Sequence, residues 1–233
     1  MREKEYLSIF LFILLIAFLI LGGNYLINLK PASTNDTSST TKTDATKEYV
    51  YFSNEEVVSL ALDITFKDIH INLKSEAAQK LAEELNNQMA SAKASYVKLS
   101  SVNVDKSKII YDLDEDNIYE TDFVKYDVKE SKNYLTIEVS TGHINVTQEE
   151  STSYLNYYVF DKNSGELLSN NDIKRSAKIS DKDIAKIEND YLEAKENNQI
   201  IDYQLFYDKY ENIYVNLLVK SDDITYNDVV KVN

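Results

Sequence analysis

An unbroken apolar run near the amino terminus constrains everything after it, because it decides the compartment in which the rest of the chain folds. No charge occurs between Glu5 and Lys30. The 24 residues from Tyr6 to Leu29 would span ~36 Å as a helix, enough to cross a ~30 Å hydrocarbon core. A helix of a soluble core seldom runs so far without a polar face. A cleavable signal peptide would end in a small-x-small site, but Gly22, Gly23, Asn24 and Tyr25 lead into more apolar chain, and no such pattern precedes Lys30. The expectation is a retained transmembrane anchor over residues 7–28, with residues 1–6 as a short cytoplasmic tail. Arg2 and Lys4 lie before the helix and Lys30, Lys42 and Lys47 after it, so positive charge does not choose the orientation. The unequal flanks do, placing the long carboxy-terminal part outside the cell membrane.

Charge then narrows the partners of that part. Residues 1–30 carry Arg2, Lys4 and Lys30 against Glu3 and Glu5, a net of +1, so the whole-chain value of −14 leaves −15 on residues 31–233. Such a surface repels nucleic acid and anionic lipid and attracts a cationic partner. With no cysteine there is no lipid attachment by thioether and no disulfide. Stability has to come from an apolar core, and 18 Tyr with no Trp and one Pro points to sheet surface more than to loops.

Along the chain, residues 29–47 are polar and Ser/Thr-rich and read as a disordered linker. Alternation of Val58, Leu60, Leu62, Ile64 and Phe66, then Ile69, Ile71 and Leu73, predicts a hairpin or two successive strands. Ser75 is placed to cap a helix whose stripe is Ala78, Leu81, Ala82, Leu85, Met89 and Ala92. Strands are expected over 108–111, 119–128, 134–140 and 154–160, with turns at 130–133 and 161–165. Ser180 and Asp183 announce a second helix bearing Ile184, Ile187, Tyr191 and Ala194. Three strands over 201–207, 213–219 and 228–232 close the chain. The sum is an α+β fold, mostly antiparallel sheet with two main packing helices. Residues 48–146 form a first α+β half and 147–233 a second, as two units or as one domain.

Phe66 to Met89, the strand pair around Tyr126 to Ser140, and Tyr158-Val-Phe-Asp-Lys-Asn-Ser-Gly-Glu-Leu-Leu168 resemble the paired extracytoplasmic domains, of unknown function, found in Gram-positive bacteria. These occur in a lysozyme-sensing membrane anti-sigma factor and in a membrane-anchored peptidoglycan deacetylase. In that family a strand ending in F-D-x-x-x-G-x-x-L precedes a helical segment, and a G-G-A-H element lies upstream. The counterpart here is Thr141-Gly142-His143, so part of the element is absent. The resemblance implies a binding module without effector or catalytic domain, and it implies Gly142, His143, Asp161 and Gly165 as ligand-binding residues.

The residues themselves offer little chemistry. His70 and His143 are the two histidines, and no H-E-x-x-H or similar spacing accompanies them. His70 lies between Ile69 and Ile71 and reads as a solvated strand histidine; His143 reads as a ligand contact or a loop histidine. Asp112, Asp114 and Asp116 open like a calcium loop, but Asn117 stands where the glycine should be and Phe123 where the closing Glu should be. Neighbouring carboxylates such as Glu149 with Glu150, or Asp222 with Asp223, would point to opposite faces of a strand. No catalytic residue, metal site or cofactor is expected, and the chain is read as a non-enzyme. The function expected is a membrane-anchored extracytoplasmic binding module for a cationic protein, lysozyme-like, or a cell-envelope polymer. Its alternatives are an accessory structural subunit of a membrane complex and an envelope hydrolase or deacetylase.

Overall fold

A computed structural model of the chain describes residues 48–59, 62, 64–98, 118–145, 150–195, 197–222 and 224–232. The apolar run, the linker, the expected strand at 108–111 and Asp112, Asp114 and Asp116 lie outside the described residues. Among the described residues no helix is long and apolar enough to cross a membrane.

The alternating segment that opens the described part folds back on itself. β1 (Val50–Ser59) pairs antiparallel with β2 (Ile64–Ile71), matching Tyr51 with His70 and Phe52 with Ile69. The alternation from Val58 to Phe66 is thus divided between two strands. A helix follows, α1 (Glu76–Ser95), where the Ser75 hydroxyl accepts the Ala78 N–H at 3.1 Å and an acidic residue, Glu76, occupies the first turn. Its buried residues, Ala78, Leu81, Leu85, Met89 and Ala92, recur every three or four positions, the spacing of one helical face.

The centre is a five-stranded antiparallel sheet: β3 (Val97–Lys98), β4 (Ile118–Glu130), β5 (Tyr134–Asn145), β6 (Glu150–Asp161) and β7 (Leu167–Leu168), in chain order. Two helices come next, α2 (Asn170–Ala177) and α3 (Asp181–Ala194). A three-stranded sheet then places β9 (Ile213–Ser221) between β8 (Asn198–Tyr207) and β10 (Ile224–Lys231).

Period-2 alternation gives each face of the central sheet its own core. Leu135, Ile137 and Val139 of β5 and Phe160 of β6 pack with Leu81 and Leu85 of α1 and with Ile64, Phe66 and Ile69 of β2. On β6 the intervening Tyr157 and Val159 pack with Leu205, Val215, Leu217 and Val219 of the smaller sheet, and with Ile173 of α2 and Ile184 of α3. The uninterrupted run Tyr157-Tyr158-Val159-Phe160 exists because this strand is covered on both sides. Full burial of a side chain such as Leu85 or Phe160 contributes about 2–3 kcal/mol. Stacked rings join the two sheets, Tyr134 on Tyr207 at 4.0 Å and Tyr157 on Phe206 at 3.8 Å between centroids.

The fold is therefore α+β and mostly antiparallel, with three helices among the described residues where two packing helices were expected. The additional one, α2, has a capping box of the same kind as α3, Ser169 with Asp172 and Ser180 with Asp183. It stops at Lys178, whose φ of 59° is left-handed. β10 starts at Ile224, four residues ahead of the expected strand. The division between the expected halves falls between β5 and β6, which pair from Tyr134↔Asp161 to Asn145↔Glu150. Residues from Lys47 to Asn233 form one compact unit that contains both cores.

Candidate functional site

Gly142 lies toward the end of β5, opposite Phe123 on one side and Ser153 on the other. A Cβ added there would stand 1.9 Å from the Thr152 carbonyl oxygen and 2.6 Å from the Phe123 ring. The glycine is needed so that the ring can lie across the strand, a packing role that the neighbouring sequence does not disclose. Beside it opens a cleft of about 470 Å³ between the second half of α1 and strands β4 to β6. Its walls combine hydrogen-bonding groups, among them Asn87, Ser91, Asp122, Thr141 and Asn156, with apolar surface from Val124 and Val139 and the aromatic faces of Tyr158 and Phe123. Burial, and then the charge of Glu84, raises the pKa of the Tyr158 phenol, so its hydroxyl stays protonated and able to donate.

His143 stands on β5 and not on a loop, directly across from Asp122. Its Nδ1 lies 2.9 Å from Asp122 Oδ1 and its Nε2 3.4 Å from Glu120 Oε1. The two nitrogens face different carboxylates, so the three groups do not converge on a point. Among the described residues no set of three His, Asp or Glu could hold a metal ion. His70 is half-buried: its ring stacks on Tyr51 at 4.5 Å and its Nε2 lies 2.7 Å from the Ser53 hydroxyl.

Asp161 and Gly165 belong to another place. Asp161 Oδ1 accepts the N–H groups of Asn163 and Ser164 at 2.8 and 2.9 Å, its carbonyl accepts the Gly165 N–H at 2.8 Å, and Gly165 has φ 77°. This is a side-chain-closed turn in which glycine supplies the positive φ. Asp161 pairs with Tyr134, nine residues from His143. At ~3.4 Å per residue that separates the two by about 30 Å, so the four candidate residues do not form one site.

A second cleft, of about 320 Å³, lies where the smaller sheet meets β6. β7 pairs only with Val159 and Phe160, which leaves the earlier part of β6 as a sheet edge. That edge is covered by amide side chains. Leu155 N–H donates to Asn227 Oδ1 at 2.8 Å, its carbonyl accepts Asn216 Nδ2 at 3.0 Å, and Tyr157 N–H donates to Gln204 Oε1 at 3.1 Å. The device recurs. Asn86 of α1 accepts the Ile69 N–H at 2.8 Å and donates to its carbonyl at 3.0 Å; Asn170 of α2 accepts the Leu205 N–H at 2.8 Å and donates to the Tyr203 carbonyl at 2.9 Å. These amides imitate a neighbouring strand. An isolated Asn in a helix or strand was the only signal available to sequence reading, and it does not name its partner.

Other charged groups are braces. Lys195 Nζ donates to Asp228 Oδ2 at 2.6 Å and to the Tyr191 hydroxyl at 3.2 Å, tying the end of α3 to β10. These bonds raise the Lys195 pKa; at Asp228 they outweigh burial, and its pKa is lowered. Lys129 is held by Glu138 and Asp127. Burial would lower its pKa, but those bonds prevail and raise it.

Comparison of the chain with known protein families and with curated proteins gives no match. The site is therefore characterised by its geometry: an open cleft with hydrogen-bonding groups on one flank of the central sheet, next to Gly142 and His143.

Proposed function

We propose that the chain is a membrane-tethered extracytoplasmic binding module, carried by the apolar run at residues 7–28, whose cleft beside Gly142 engages a cell-envelope polymer. The observation that carries this is the lining of the cleft. Amides, hydroxyls and aromatic faces suit a polyhydroxylated chain, and none of its described lining residues is a Lys or Arg. A second reading, a cationic protein of the lysozyme kind, is favoured by the −15 on residues 31–233.

One experiment separates them. The fragment Lys47–Asn233 is tested for co-sedimentation with purified cell-wall polymer, and for binding to lysozyme and to an unrelated basic protein, across a salt series. Sedimentation that persists at physiological salt supports the polymer reading. Saturable binding to lysozyme alone, persisting with salt, transfers the function to the cationic protein. Weak binding to both proteins that vanishes with salt, with no polymer bound, overturns both.

A further inference from the structure

The two clefts are neighbours, because Thr141 and Asn156 line both of them. The first lies over β4, β5 and β6; the second begins at the β6 edge and runs onto β8, β9 and β10. Crossing three strands covers about 10 Å, and stepping to a packed second sheet adds about 10 Å more. We propose that the joined clefts are one groove for an extended oligosaccharide of amino sugars bearing free amines. The inference rests on the polymer reading above and names the polymer's chemistry.

Three features select that ligand. Along the exposed β6 edge the N–H and carbonyl of Leu155 and the N–H of Tyr157 are already bonded to Asn227, Asn216 and Gln204, so addition of a peptide strand there is blocked. What the groove offers is side-chain hydrogen bonding flanked by flat rings, Tyr158 in the first cleft and Tyr154 and Tyr203 in the second. Sugars present hydroxyls at their edges and C–H groups on their faces, and both find partners here. Finally, Asp122 lines one cleft and Asp202 the other, both side chains are exposed, and none of the described lining residues is a Lys or Arg. The two carboxylates disfavour an anionic polymer, whereas an ammonium group gains a carboxylate in either cleft.

The test uses Lys47–Asn233 with glucosamine oligomers from dimer to hexamer, the N-acetylated oligomers of equal length, and whole cell-wall polymer. Calorimetry is expected to show the glucosamine hexamer binding at least about tenfold tighter than the dimer, since the longer chain fills both clefts. It should also bind severalfold tighter than its N-acetylated counterpart. Asp122→Asn and Asp202→Asn should each remove part of that preference, lowering affinity for the glucosamine hexamer more than for the N-acetylated hexamer. Asn156→Leu, at the shared wall, should bring the hexamer down to the dimer's affinity. Affinity independent of length, a preference for the N-acetylated chain, or indifference to both Asp substitutions overturns the inference. Cell-wall polymer bound without either oligomer overturns it and leaves the proposed function standing; no binding to polymer or oligomers overturns both.

Discussion

Single residues in this protein answer to partners far away in the chain. Gly142 is the sharpest instance, since the Phe123 ring and the Thr152 carbonyl occupy the space a side chain would need. Gly142→Ala is expected to destabilise the fold by about 2–3 kcal/mol through overpacking, read as a lowered urea midpoint with an unchanged slope. Asn86 satisfies both backbone groups of the fully buried Ile69. Asn86→Ala leaves an N–H and a carbonyl without partners and should cost about 2 kcal/mol or more in chemical denaturation. The presence of Gly142 and His143 was legible in the sequence, whereas their surroundings were not. Phe123 is 19 residues from Gly142 and Asp122 is 21 from His143, and only strand register brings them together.

Among the elements, helix ends are where local chemistry was most readable. Ser75, with an acidic first turn and a regular apolar stripe, marked α1; Ser180 and Asp183 marked α3. The same serine-to-aspartate spacing at Ser169 and Asp172 marked α2 as well, yet a helix of eight residues with one buried side chain, Ile173, has too little periodicity to stand out. Ser180→Ala should cost about 1 kcal/mol of stability in thermal or chemical melts. The caps also fix an acid limit. Hydrogen bonds from the Ser169 hydroxyl and backbone lower the Asp172 pKa, and those of Ser180 do the same for Asp183. A carboxylate with a depressed folded pKa stabilises above its unfolded pKa, ~3.9, and that contribution fades as pH falls through the folded value. Protection of the amides in the first turns of α2 and α3, after correction for the intrinsic pH dependence of exchange, should therefore fall below about pH 4, and Asp183→Asn should abolish that fall in α3 while leaving it in α2.

The molecule as a whole is organised by a sheet that serves two cores. Because β5 and β6 pair along their full length and Phe160 lies in one core while Val159 lies in the other, neither half should fold without its partner. A fragment ending at Val146 is expected to show no cooperative thermal transition, whereas Lys47–Asn233 should melt in one step by circular dichroism and by tyrosine fluorescence alike. Two independent transitions in the longer fragment would mean that the halves are separate domains.

Sequence alone determined what depends on neighbours a few residues apart: the period-2 strands, the capped helices, the Asp161–Gly165 turn and the excess of negative charge. These are properties of local geometry and composition, and they carry the α+β class with them. Tertiary structure decided which strands are edges, which amides cover those edges, why residue 142 must be glycine, and that Gly142 and Asp161 stand at opposite ends of a strand pair. It also assembled the groove, whose walls come from one helix and six strands. Such a surface is set by strand order and register, which fix contacts between residues tens of positions apart and leave no periodic trace in the chain.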